Sequence, residues 1–465
     1  MRVCIVFPRL RSQLHGLWPP LGIIQLGTIL ANNGYDVKLI DSSFDPSLSR
    51  TKDKIREFKP DIVGVSALTD IYENASDVIR FSKVLGCKTI LGGPHATLLP
   101  RETLEGLDEL DFVVIGEGEV TLLELVNAIR EDRDVHAIDG MAFRRGGKVV
   151  VTEPRQPVGD LDSLPFPNRD LLDTVPIYLR GRALSVHTIR GCPYSCTFCH
   201  PTLKVLFGTK VRFRSPASVV SELQSLYLQY KIRDFLFVDD LFTVSKSWLR
   251  QLSSQLVNNG LTGKLRFSVN SRVDLFDEEI ASLLKRMNCY YVLFGVESGS
   301  QEILDSCSKG ITLEQTRRAF SLCKKYRIRT HAYIILGLPR ETQTTLQETL
   351  ALVSEISPTT LQVSIATPLV GTDLYRECQE NGYLNLASYT GADYYSRRRE
   401  SQPITLDHLN YDELLKTRTR LLRARRPQVI LNNITEICKD FARERSLNKI
   451  VFRASFYALM KHYWG

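Results

Sequence analysis

The chain has 465 residues, of which 43% are hydrophobic and 24% charged. That length exceeds one ordinary core and predicts two or three globular domains, and the composition excludes a disordered or fibrous chain. The formal charge of +8, from 60 basic and 52 acidic side chains, is too mild to mark a nucleic-acid binder.

Residues 1–150 alternate short apolar runs with helical patterns. Strands are predicted at Val3–Phe7, Val37–Ile40, Ile62–Ser66, Thr89–Gly92 and Phe112–Ile115. None alternates strictly, which suits parallel strands covered on both faces. Helices are predicted at Leu21–Asn33, Tyr72–Leu85 and Glu119–Arg130. In the first, Ile23, Leu26, Ile29 and Leu30 form one stripe, and Gly34 follows as a cap. Such a βαβ series builds an α/β domain, doubly wound and flavodoxin-like. A hairpin is expected from Gly140–Phe143 and Lys148–Thr152 around Gly146 and Gly147. Pro154, Pro157, Pro165 and Pro167 then interrupt both kinds of element, so residues 151–182 read as a linker.

A second βα series fills residues 183–375. Its strands are expected at Ser185–Ile189, Phe235–Val238, Arg266–Val269, Tyr290–Gly295, His331–Leu336 and Leu361–Ala366. Helices such as Pro216–Tyr230, Ser245–Asn259 and Thr342–Ile356 lie between them. Six repeats predict a partial (β/α)6 barrel with its site at the C-terminal strand ends. Residues 376–465 read as a mostly helical, basic region. The arginine groups Arg397–Arg399 and Arg418, Arg420, Arg423, Arg425 and Arg426 are expected on solvated faces, without the aromatics of an RNA-binding patch. Leu447–Trp464 mixes basic and apolar residues, so contact with a membrane surface is the rival reading there. No run of eighteen apolar residues occurs, and the N-terminus enters a strand at once, so a cytoplasmic location is expected.

Seven of the ten cysteines are isolated and read as buried small hydrophobes. Cys192, Cys196 and Cys199 instead share one short loop, after the first strand of the second series. Three thiolates can ligate three irons of a cubane and leave the fourth iron open, whereas electron-transfer clusters normally use four. Zinc is the alternative, with His200 as a fourth ligand. Zinc sites usually show paired Cys-x-x-Cys or Cys/His motifs, which are absent.

The run Gly191-Cys192-Pro-Tyr-Ser-Cys196-Thr-Phe198-Cys199 resembles the radical SAM superfamily. The resemblance implies a 4Fe–4S cluster whose open iron binds S-adenosylmethionine (SAM). It also implies reductive cleavage of SAM to a 5′-deoxyadenosyl radical. Phe198 would lie against the adenine. Asp239 and Asp240, replacing the usual Gly-Gly-Glu, would meet the methionine amino group. Glu297 and Ser298 would reach ribose or carboxylate, and the Gly337 backbone would pass the adenine. Asn270 and Arg272 are weaker candidates at the third strand end.

The first domain resembles the cobalamin-binding domain found ahead of many radical SAM cores. The matching positions are strand ends, where open α/β sheets bind ligands. They are Trp18 and Pro19; Ser66, Leu68 and Thr69; Gly92, Gly93, Pro94 and His95; and Gly116, Glu117 and Gly118. The Asp-x-His-x-x-Gly cobalt-ligand motif is missing, so His15 is not expected to bind cobalt.

The two resemblances together imply a cobalamin-dependent radical SAM enzyme. The expected activity is methyl transfer, through methylcobalamin, to an unactivated carbon or phosphorus of a small molecule. A flavodoxin or ferredoxin would supply electrons. The alternatives are a non-methylating, porphyrin-cyclase-like enzyme and a non-catalytic cobalamin sensor, which would have no use for the cysteine loop. A methylthiolating enzyme would need more N-terminal cysteines than Cys4 and Cys87.

Overall fold

The computed structural model describes residues 1–8, 18–45, 47–180, 183–199, 201–385, 403–407 and 409–423. His15, His200, Arg397–Arg399, Arg425, Arg426 and Leu447–Trp464 lie outside them.

The N-terminal sheet contains β1 (Arg2–Phe7), β2 (Asp36–Asp41), β3 (Ile62–Ser66), β4 (Lys88–Gly92), β5 (Phe112–Val114), β6 (Met141–Arg145) and β7 (Lys148–Val151). Its order is β2-β1-β3-β4-β5-β6-β7. The first five strands are parallel, and β6 pairs antiparallel with β5. The order reverses beside β1, so the connections leaving the paired strands β1 and β3 turn to opposite faces and leave a crevice at the C-terminal strand ends. Buried Val3, Ile5, Val63 and Val65 explain the near-continuous apolar strands. The expected hairpin forms as β6–β7, and it extends the same sheet, with Phe112 opposite Phe143.

The second sheet contains β8 (Ala183–Val186), then β11 (Asp234–Phe237), β12 (Arg266–Ser271), β13 (Cys289–Glu297), β14 (Arg329–Leu336) and β15 (Thr360–Ile365). All neighbours are parallel, in the order β15-β14-β13-β12-β11-β8. This is the partial barrel. Phe235, Phe237, Phe242 and Phe267 pack its outer side under the helices, with Phe237 stacked on Phe242 at 4.5 Å. Each such side chain contributes roughly 1.5–3 kcal/mol of burial.

The first barrel strand departs from the expected Ser185–Ile189. It stops at Val186, and the chain restarts as β9 (Ile189–Arg190), which pairs antiparallel with β10 (Arg212–Phe213). This two-stranded hairpin closes the base of the long cysteine loop. Two-residue strands carry no periodicity, which is why sequence patterning merges β9 into β8.

The segment 152–180 is packed rather than loose. Arg169 is 1% exposed, donates to Glu222 at 3.0 Å and to the Ser185 carbonyl at 2.8 Å, and so fastens the segment to the barrel. Thr174 and Tyr178 donate to Asp41 at the end of β2. Residues 411–423 are helical. They lie on the last strands: Arg418 donates to the Val363 carbonyl at 3.0 Å, and a Cβ on Gly337 would approach Leu414 to 2.9 Å. No helix among the described residues is long and apolar enough to cross a membrane.

Candidate active site at the domain junction

Gly191 starts the cysteine loop with φ +94°, where a Cβ would collide with the Lys210 carbonyl. Only glycine meets both demands. Cys192, Cys196 and Cys199 follow, half-buried and without a disulfide. Burial, then the neighbouring Cys196 and Cys192 sulfurs, push the Cys199 thiol up to about 12. Burial also raises Cys192. As bare thiolates these groups would repel each other, and a bound cation removes that cost. The other six described cysteines are buried, as expected for structural thiols. Among the described residues no three His, Cys, Asp or Glu side chains converge on a single ion. Three sulfurs spread along a loop fit a multi-iron cubane better than a closed zinc site.

Two cations face the loop. Arg272, at the end of β12, is 5% exposed, and its Nη1 lies 3.7 Å from the Cys196 sulfur. Asp274 and the Lys309 carbonyl hold the same guanidinium. Lys309 is also buried and sits 5.7 Å from the centre of the Phe198 ring. Its Nζ pairs with Glu297 at 2.7 Å. The loop itself is pinned at Thr197, whose N–H donates to the Cys307 carbonyl and whose carbonyl accepts from Leu374, both at 3.0 Å. Arg272 was a secondary candidate in the sequence, and Lys309 carries no sequence signal at all, being an isolated lysine after a short helix.

The two aspartates after β11 differ. Asp239 is 1% exposed and accepts the backbone N–H groups of Thr188 and Ile189 at 2.7 and 2.9 Å, plus the Thr188 hydroxyl. Both its oxygens are occupied in bracing the break between β8 and β9. Asp240 is exposed to solvent, though protein crowds its carboxyl. Enclosure, then the Asp239 charge, push its carboxyl up to about 6, and His187 opposes them. Of the two carboxylates, Asp239 is the one committed to the backbone of the loop entrance.

Glu297 ends β13 with φ +66° and a shift in strand register. Its carboxylate turns to Lys309. Ser298 is fully buried, and its hydroxyl accepts the Ser300 N–H at 3.2 Å. Gly299 lets the helix Gln343–Ile356 approach, since a Cβ would strike the Thr349 backbone. Ser298 thus shapes a turn and has little side chain to offer SAM. Gly337 has φ +85° and donates its N–H to Glu341.

A cavity of about 500 Å³ lies between the two sheets. The first domain lines it with Ser66, Leu68, Gly92, Gly93, Pro94, Gly116, Glu117 and Gly118, which gathers the three strand-end groups read from the sequence. Trp18, Pro19, Thr69 and His95 are outside its lining. His95 is buried and stacks on Tyr72 at 4.0 Å, and burial lowers its imidazole to about 4. Gly93 has φ +89°, and a Cβ would meet the Ser66 hydroxyl at 2.9 Å. Above Gly116 a Cβ would meet nothing within 4 Å, so the cradle is open there. The barrel completes the lining with His187, Thr188, Ile189, Arg190 and Phe207. A mostly apolar cavity with glycine backbone edges fits part of a large, flat corrinoid.

A model of the B12 binding domain matches residues 10–126, and one of the radical SAM superfamily matches residues 186–353. An uncharacterized methyltransferase of Pyrococcus horikoshii is 32% identical over 453 residues, covering 94% of this chain and 95% of that protein. The chain belongs to the cobalamin-dependent radical SAM family. Its cofactors are a 4Fe–4S cluster, SAM and cobalamin. Within this family it is also similar to the anaerobic magnesium-protoporphyrin IX monomethyl ester cyclase of Rubrivivax gelatinosus, 32% identical over 81% of this chain and 70% of that one. The cytidylyl-2-hydroxyethylphosphonate methyltransferase of Streptomyces wedmorensis is 28% identical over 79% of each chain. The radical SAM methyltransferase TsrM of Kitasatospora setae shares the fold, with TM-score 0.69, 23% identity, and coverage of 82% and 75%. Relatives in the family thus include both methyltransferases and cyclases.

Proposed function

We propose that this cobalamin-dependent radical SAM enzyme is a methyltransferase acting on a small molecule, at an unactivated carbon or phosphorus. The observation that carries the reading is the cavity joining three strand ends of the first domain, two of them glycine-rich, to the strand that leads into the cysteine loop. A corrinoid held in that cavity would lie beside Arg190, two residues before the first cluster cysteine, which supports a methyl carrier and a radical source acting on one substrate.

In this reading Cys192, Cys196 and Cys199 hold three irons and leave the fourth for SAM. When bound, the cluster and the corrinoid supply a one-electron reductant for the sulfonium and a carrier for the methyl group. The chain's own residues orient these groups. Asp240 receives the methionine ammonium, while Asp239 keeps the loop entrance rigid. Phe198 and the Gly337 backbone bracket the adenine. The Lys309–Glu297 pair borders the same mouth and offers a cation to the SAM carboxylate. Gly92, Gly93, Pro94, Gly116 and Gly118 let main chain approach the corrinoid. Glu117 contributes its backbone, since its carboxylate is held by Arg190 and Arg212. An external one-electron donor is required.

The cyclase likeness supports a second reading, oxidative ring closure without methyl transfer. Anaerobic reconstitution with iron, sulfide and cobalamin separates the two. A methyltransferase releases S-adenosylhomocysteine beside 5′-deoxyadenosine and adds one methylene mass to its substrate. Deoxyadenosine without S-adenosylhomocysteine, together with loss of hydrogen mass from a turned-over substrate and no methylene gain, would favour the cyclase.

A further inference from the structure

The two domains meet through four buried charges. Arg190 and Arg212 stand directly opposite each other on the β9–β10 hairpin. Like charges at that spacing repel. Nothing on the hairpin neutralises them. The balancing carboxylates come from the other domain, at the start of the helix Gly118–Arg130. Arg190 pairs with Glu119 at 2.6 Å and with Glu117 at 3.1 Å. Arg212 grips both Glu117 oxygens, at 2.8 and 3.1 Å. No side chain of the four is more than 13% exposed. Glu117 also accepts the Val158 N–H at 2.7 Å, and Arg212 donates to the Phe207 carbonyl at 2.8 Å.

The placement gives the network a purpose. Glu117 lies within the corrinoid-facing Gly116–Gly118 turn, and Arg190 is two residues before Cys192. The hairpin that closes the cysteine loop is charge-balanced only when the first domain is docked. We propose that Arg190, Arg212, Glu117 and Glu119 are an interdomain clamp that fixes the corrinoid relative to the iron–sulfur cluster. This rests on the ligand assignment above. The four are positioning residues. Buried pairs add little net stability over apolar replacements, so fixing geometry is the better account of their presence.

The test uses the full chain carrying both cofactors. The double variant Arg212→Met with Glu119→Gln removes one charge of each sign and leaves the Arg190–Glu117 pair balanced. It should keep its iron, its corrinoid absorbance and its deoxyadenosine release. The magnetic broadening between the reduced cluster and cob(II)alamin, read by electron paramagnetic resonance, should be lost or spread over many geometries. Glu119→Gln alone keeps the Glu117 pairs but leaves two arginines sharing one carboxylate, so it should also lose the broadening, and it serves if the double variant folds poorly. Arg212→Lys should restore part of the signal. Wild-type broadening in both the double and single variants overturns the clamp. So does prompt loss of corrinoid, which would make the carboxylates its ligands. Failure of the ligand assignment looks different: the wild-type chain itself would show no cluster signal, and assignment and clamp would fall together.

Discussion

The guanidinium of Arg272 lies flat against the Tyr194 ring, 3.6 Å from its centre, and points Nη1 at the Cys196 sulfur. The cation thus touches both the ring and the thiol, and Asp274 holds it through Nε at 2.9 Å. A positive charge beside a cluster thiolate eases cluster reduction, because reduction adds negative charge. Arg272→Met should therefore shift the cluster midpoint to more negative potential. Deoxyadenosine release should fall about 10–100-fold, the usual size for a residue behind a metal ligand. Potentiometric titration checks the first and product analysis the second. An unchanged midpoint would show that the arginine acts only through packing.

Gly191 offers a sharper structural test. Its φ of +94° and the Lys210 carbonyl leave no room for a side chain. Gly191→Ala should force Cys192 away from its partners and lower bound iron well below the wild-type content. Thermal stability should drop by only about 1–3 kcal/mol, the strain of one misplaced backbone unit. Iron and sulfide analysis after anaerobic reconstitution measures it. Full iron content in the alanine variant would contradict this account of the loop.

The legible parts of this protein were those that repeat or cluster. Parallel strands buried on both faces leave apolar runs, so both sheets could be placed from the sequence. Three close cysteines and the glycine-rich strand ends pointed to the two domains that the family models match. What stayed hidden depends on contacts between distant segments. Arg190 and Arg212 look like ordinary basic residues until the fold sets Glu117 and Glu119 against them. Asp239 and Asp240 are adjacent in sequence, yet only the break between β8 and β9 shows that one is a brace. Lys309 becomes interesting solely because β13 ends beneath it with Glu297. The β9–β10 hairpin was too short to announce itself.

The division of labour between Asp239 and Asp240 predicts opposite phenotypes. Asp239→Asn loses one of two acceptor oxygens facing Thr188 and Ile189, leaving buried donors short of a partner. That costs about 1–3 kcal/mol. The melting temperature should fall by several degrees with SAM affinity following only indirectly. Asp240→Asn should leave the melting temperature in place and weaken SAM binding. Differential scanning calorimetry and equilibrium binding of SAM read the two effects separately. If Asp239→Asn were thermally silent and lost SAM binding, the roles would be reversed.

Glu341 predicts a pH dependence of stability. It is fully buried, accepts the Gly337 N–H through one oxygen, and its other oxygen has no partner among the described residues. Burial raises its carboxyl from 4.5 to about 7, only partly offset by the Gly337 contact. The folded chain therefore holds this proton more tightly than the unfolded chain does. Between pH 4.5 and about 7 the native state binds more protons, so this group's contribution to stability declines as pH rises. Above about pH 7 the full cost of a buried carboxylate is present, on the order of 3 kcal/mol at most. Glu341→Gln copies the neutral form. It should raise the melting temperature at pH 8 and leave it nearly unchanged at pH 5. Chemical denaturation across that range measures the difference between the two proteins. A variant less stable at pH 8 than at pH 5, relative to wild type, would mean that the ionised carboxylate is what the Gly337 turn requires.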